Sequence, residues 1–117
     1  MKISKKEFSG IFPYLVTPLD ESGNLKEDVL CNLVNHLISK GVHGLTPLGS
    51  TGEGAYFPWE LKKRVIEVVI ETTAGRVPVI AGINEITTAG AVKQAIKDRA
   101  HWCRWHPRCF TNLFSSK

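Results

Sequence analysis

Three times along this 117-residue chain a run of apolar, β-branched residues gives way to apolar residues at three- and four-residue spacing, and that alternation restricts the fold more than any other feature. Ile11-Phe12-Pro13-Tyr14-Leu15-Val16-Thr17-Pro18-Leu19, between Gly10 and Asp20-Glu21-Ser22-Gly23, predicts a strand buried on two faces, with two prolines counting against it. Val29, Leu30, Leu33, Val34, Leu37 and Ile38 predict an amphipathic helix, with Asn24 as its N-cap and Gly41 as its stop. Residues 42–48 read as a second strand. Pro58 then opens a helix that carries Leu61, Val65, Ile66, Val68, Val69 and Ile70 on one side and Glu60, Lys62, Lys63 and Arg64 outward, ending near Gly75. Residues 76–83 form a third strand, and Thr87-Thr88 cap a third helix bearing Val92, Ala95 and Ile96. Strand and helix in this order imply a parallel α/β sheet, either open and doubly wound or closed into a barrel.

The second strand delivers Leu48-Gly49-Ser50-Thr51-Gly52-Glu53 at its C-terminal end. Gly49 and Gly52 shape a sharp turn that a ligand can approach, and Ser50 and Thr51 offer two hydroxyls beside consecutive N–H groups. Such a turn suits a small anion. It lacks the lysine of a P-loop, and the loop after strand one lacks G-x-G-x-x-G, which argues against a dinucleotide fold. In a barrel, the loops at the C-terminal ends of the strands build the active site, and this turn lies on such a loop. Cys31, inside the first helix, reads as packing, and His43, at the start of strand two, as a packed or solvated bystander.

The net charge of +4 hints at nucleic acid until it is divided along the chain. Residues 1–96 carry ten Lys/Arg and ten Asp/Glu, and residues 97–117 carry five Lys/Arg and one Asp. The excess belongs to the tail. Met1-Lys2-Ile3-Ser4-Lys5-Lys6 leads into no long apolar run, so the expectation is a cytoplasmic protein with no signal peptide and no membrane partner.

Thr17-Pro18, Gly41-Val42, Gly49-Ser50-Thr51-Gly52-Glu53, Arg76-Val77-Pro78-Val79-Ile80-Ala81-Gly82 and Thr87-Thr88 with Ala91-Val92 come in an order and spacing that together resemble the dihydrodipicolinate synthase and N-acetylneuraminate lyase family. The resemblance covers about residues 10–96. It implies a (β/α)8 barrel of lyases and aldolases, usually homo-oligomeric, that act on pyruvate or related 2-oxo acids through a Schiff base with a lysine, without a metal or other cofactor. It also implies that Ser50 and Thr51 bind the substrate carboxylate, that Gly49 and Gly52 shape the turn, and that Glu53 begins the support behind it. The family's Schiff-base lysine lies on strand six and its proton-relaying tyrosine on strand five, and neither falls within these residues. No catalytic residue carries over. The expectation is therefore a truncated domain, residues 10–98, holding three βα units of a barrel and inert by itself, or else a non-catalytic fragment that associates with a full-length relative.

After the third helix the family continues with a small-residue turn and a fourth strand, approximately Gly-Ala-Asp-Gly-Ile-Leu. Residues 99–117 read otherwise. His101, Cys103, His106 and Cys109 imitate a small zinc site without its hairpin spacing, and the interleaved Arg and Trp imitate a nucleic-acid grip. One permitted set of codons for residues 101–116, read one base later, spells Thr-Gly-Ala-Asp-Gly-Ile-Leu-Ala-Val-Leu-Arg-Ile-Tyr-Phe-Pro-Val. That contains the missing turn and an apolar strand. Residues 99–117 are accordingly expected to be a frameshifted, unstructured tail outside the family, with neither zinc nor nucleic acid as its ligand.

Overall fold

The computed structural model describes residues 9–85 and 87–100 and the backbone of residues 109–115. Helices α1 (Glu27–Ser39), α2 (Trp59–Thr73) and α3 (Thr88–Asp98) alternate with extended chain, of which β1 (Val79–Glu85) and β2 (Cys109–Ser115) are continuous strands. Residues 11–16 and 43–47 make the two further rungs. Their pairing is reduced to the parallel bridges Tyr14 to Thr46 and Leu45 to Val79. Pro13 and Pro47 explain the interruption, because neither has an N–H to give the ladder. What remains is regular: Leu15 N donates to Thr46 O, Thr46 N to Pro13 O, Leu45 N to Pro78 O and Ile80 N to Leu45 O. The segments therefore lie in chain order, all parallel, with β2 beside β1 in the register Val79 to Cys109 through Glu85 to Ser115.

The fourth rung departs from expectation. An unstructured tail after residue 98 does not describe residues 109–115, which run as a strand along β1. The exposed N–H and C=O groups of β1 are a template that any extended, proline-free segment can pair with, and Cys109-Phe110-Thr111-Asn112-Leu113-Phe114-Ser115 is one. Residues 101–108, with most of the apparent zinc ligands, lie outside the described residues.

One face of the sheet is covered by helices. Leu15, Leu45, Val79 and Ala81 point toward Leu30 and Val34 of α1 and Val65, Ile66, Val68, Val69 and Ile70 of α2, forming one core. Cys31 packs beside it, its Sγ 3.2 Å from Thr72 Oγ1. Gly41 ends α1 as expected: at φ 87° it lets its own N–H reach Ile38 O and the Val42 N–H reach Leu37 O. The start is different. Asn24 is not the N-cap, because Asp20 Oδ1 accepts its N–H at 2.9 Å and that of Ser22 at 2.9 Å, closing a tight turn two residues before the Lys26 cap. Arg76 ties the last turn of α2 to α1, donating to Thr72 O and Thr73 O and to Asn35 Oδ1.

Thr87 caps α3 through its hydroxyl, which accepts the Gly90 N–H at 3.0 Å. Its buried face is not the expected one. Val92 and Ile96 are 49% and 63% exposed, while Ala91, Gln94 and Asp98 turn inward. Lys62, expected outward on α2, is buried as well. Gln94 Nε2 donates to Asp98 Oδ1 at 2.9 Å, and among the described residues Asp98 Oδ2 has no hydrogen-bond partner. Burial pushes the Asp98 carboxyl up to about 7, with the Gln94 hydrogen bond and the Lys62 charge pulling the other way.

A carboxyl that titrates near 3.8 when unfolded and about 7 when folded keeps its proton in the folded state over that interval. Its contribution to stability is therefore greatest below the unfolded value, falls as pH rises and levels off above the folded value, a change on the order of 4 kcal/mol at most. Asp98→Asn cannot ionise. Thermal midpoints measured across this interval should fall less steeply for the variant than for the parent chain, and parallel curves would show that Asp98 ionises without cost.

Candidate functional site

Residues 48–54 leave the second extended segment at its C-terminal end, between the first segment and β1. The corners of this turn are not its glycines. Leu48 at φ 59° and Glu53 at φ 57° are the left-handed residues, and a left-handed conformation costs a residue with a Cβ roughly 1–2 kcal/mol. Glu53 N donates to Ser50 O at 3.1 Å and Gly54 N to Gly49 O at 3.3 Å, closing the loop before a single 3-10 turn at Gly54–Tyr56.

The glycines serve close approach instead. A Cβ at Gly49 would stand 2.7 Å from the Tyr14 ring, and one at Gly52 would stand 2.7 Å from Leu15 O. Gly54 and Gly82 face the Leu48 carbonyl, where a Cβ would come within 2.5 Å of its oxygen from either side. Gly82 N donates to Pro47 O at 2.8 Å, so β1 passes directly beneath the turn. Thr17 Oγ1 donates to Gly52 O at 2.7 Å and fastens the turn to the end of the first segment. These contacts hold Leu48 buried in its strained corner.

Ser50 and Thr51 crown the turn, and both are exposed. Among the described residues neither their hydroxyls nor their N–H groups have an acceptor within the protein. Two exposed hydroxyls and two adjacent N–H groups at the C-terminal ends of parallel strands can bind a small carboxylate by donating hydrogen bonds to it. Glu53 is exposed at the rim of the turn, so it is not packed behind it.

Sequence reasoning missed Thr17 as a fastening, along with Leu48, Gly54 and Gly82. The signal for Gly82 was present, since a glycine inside a strand marks a close backbone approach. Nothing local marks Leu48, because its φ is set by what surrounds it. His43, at the opposite end of its segment, accepts the Ile11 N–H on Nδ1 at 2.9 Å and belongs to the strand start. No lysine falls within 11–16, 43–47, β1 or β2, Lys62 being buried on α2 and Lys93 exposed on α3. Among the described residues no cluster of His, Cys, Asp or Glu could hold a metal ion, and no helix is long and apolar enough to cross a membrane.

Known proteins share this arrangement. Residues 7–101 match the model of the dihydrodipicolinate synthetase family. A 4-hydroxy-tetrahydrodipicolinate synthase of Phenylobacterium zucineum is 45% identical over 86 residues, which are 74% of this chain and 29% of that protein. Among solved structures, N-acetylneuraminate lyase from Mycoplasma synoviae aligns with a TM-score of 0.76 at 30% identity over 97% of this chain and 38% of the other. Dihydrodipicolinate synthase from Aquifex aeolicus aligns with a TM-score of 0.76 at 28% identity, over 89% of this chain and 34% of the other. The chain thus spans about a third of the length of these relatives. By the family match over residues 7–101 and the 45% identity over 74% of its length, this chain belongs to the dihydrodipicolinate synthetase family.

Proposed function

We propose that the turn at residues 49–53 is the carboxylate-holding part of a pyruvate-dependent Schiff-base lyase of the carbon–carbon aldolase type, and that the 117-residue chain carries this binding element without the amine that performs the chemistry. The observation that carries the reading is the exposed pair Ser50 and Thr51, set by Thr17, Gly52 and Gly82 at the C-terminal ends of the parallel segments. Family membership supports the lyase class. The carboxylate is recognised by O–H and N–H donors aimed at its oxygens, and the 2-oxo group beside it then lies where a lysine of a complete barrel reaches it. An imine requires that lysine as nucleophile, losing water from the carbonyl as the C=N bond forms.

The basic, aromatic stretch from Arg99 onward is, on this reading, the product of a shifted frame over what was a turn and a fourth strand. Its support is the Thr-Gly-Ala-Asp-Gly-Ile-Leu segment recovered one base along, in register with the end of α3. Beyond a family turn the same frame should continue into further βα units, with a tyrosine and a lysine at strand ends. Determining the nucleotide sequence of the locus tests it, and a prompt stop in that frame overturns it.

Two measurements test the site. Borohydride added to the 117-residue chain with pyruvate should leave its mass unchanged, because no imine forms to be reduced; a saturable adduct would mean that one of the lysines present is the nucleophile. In a version restored to full length, Thr51→Val keeps the shape of the side chain and removes a donor worth roughly 1.5–3 kcal/mol to a charged group. kcat/KM for pyruvate should fall by roughly ten- to a hundredfold with the thermal midpoint unchanged. Equal kinetics, or activity lost in proportion to stability, would assign the turn a structural role.

A further inference from the structure

Each of the two adjacent N–H groups at the crown of the turn belongs to a peptide group whose carbonyl is already engaged. Thr51 N–H shares a peptide with Ser50 O, which accepts from Glu53 N at 3.1 Å. Glu53 N–H in turn shares a peptide with Gly52 O, which accepts from Thr17 Oγ1 at 2.7 Å. Ser50 N–H shares a peptide with Gly49 O, which accepts from Gly54 N at 3.3 Å, and Gly54 N–H shares one with Glu53 O, which accepts from Tyr56 N at 3.0 Å. Two separate chains of hydrogen bonds therefore end on neighbouring donors. In a trans peptide the N–H points opposite to the carbonyl, so a bond accepted on one side restrains the plane and polarises the N–H on the other. The two chains differ in where they start. The one ending at Ser50 begins in backbone of the single 3-10 turn, and the one ending at Thr51 begins in a side chain of the first segment, 35 residues before Gly52.

We propose that Thr17 is a positioning residue of the carboxylate site, its hydroxyl setting the plane and the donor strength of Thr51 N–H through the two intervening peptide groups. This rests on the carboxylate reading of Ser50 and Thr51. Gly52 is what lets the hydroxyl in: a Cβ there would stand 2.7 Å from Leu15 O and 3.3 Å from Thr17 Oγ1. The Gly52 carbonyl needs a donor in that part-buried place, and the threonine hydroxyl supplies it. A carboxylate arriving at Thr51 N–H extends the chain by one charge-assisted bond, and its charge draws on every link behind it. Thr17 acts without touching the ligand. Every link lies within residues 17–53, and Ser50 N–H, on the other chain, is a built-in reference.

Amide NMR on the 117-residue chain, with sodium pyruvate as the probe, tests this in the parent, in Thr17→Val and in Thr17→Ser. In the parent, Glu53 N–H should resist exchange with solvent, and pyruvate should shift the Ser50 and Thr51 amides saturably. Thr17→Val keeps the branched shape and removes the donor. Without ligand it should move the Thr51 amide proton upfield and leave that of Ser50 in place, and with pyruvate it should raise Kd at least about threefold. Thr17→Ser keeps the hydroxyl and should restore both. A freely exchanging Glu53 N–H in the parent overturns the proposal without any variant. So does a Thr17→Val chain that binds pyruvate as the parent does. Ser50 and Thr51 amides that move alike, with binding lost only in step with the thermal midpoint, would make Thr17 structural and overturn it as well. A parent chain whose Ser50 and Thr51 amides ignore pyruvate overturns the carboxylate reading itself, and with it the role given to Thr17.

Discussion

The contact on which this structure depends is backbone against backbone around Leu48. The second segment ends there in a left-handed corner, and the room for that corner comes from Gly54 and Gly82, each facing the Leu48 carbonyl where a side chain would collide with it. Gly82 N and Pro47 O lock β1 beneath the corner, and the Thr17 hydroxyl holds Gly52 above it. Three segments distant in sequence thus fix one short turn.

The helices that cover the sheet do so with different chemistry. Between sheet and helices, burial is apolar and continuous from Leu15 through Leu30, Val34 and Ile66 to Val79. At α3 it is not. Ala91 allows close packing, but the same stripe brings in Gln94 and Asp98, while Val92 and Ile96 are left to water. The hydrogen bond from Gln94 satisfies half of the buried carboxyl, and a neutral carboxyl is the cheaper occupant of such a place.

β2 lies along β1 through parallel main-chain pairing. Strand pairing uses groups that every residue except proline carries. The place of β2 beside β1 is the parallel register Val79 to Cys109 through Glu85 to Ser115. The side chains that make a rung part of a specific core are a separate requirement.

Periodicity in the sequence was enough to determine three helices, the extended runs between them and the parallel α/β class, because burial on one face of a helix or both faces of a strand leaves a repeat that needs no knowledge of neighbours. Gly41, Thr87 and Pro58 were legible for the same reason: helix ends are local chemistry. Ser50 and Thr51, both exposed at the crown of the turn, were visible in the sequence as two adjacent hydroxyls. Tertiary structure alone decided that Leu48 and Glu53, and not Gly49 and Gly52, take the left-handed corners, since the glycines are needed where Tyr14 and Leu15 crowd them. It also decided that Asn24 serves the Asp20 turn instead of the helix, that α3 buries its polar stripe, that Lys62 goes inward and that residues 109–115 find the edge of β1. Each of these turns on which distant atoms come within a few ångströms, and no local pattern of residue types carries that information.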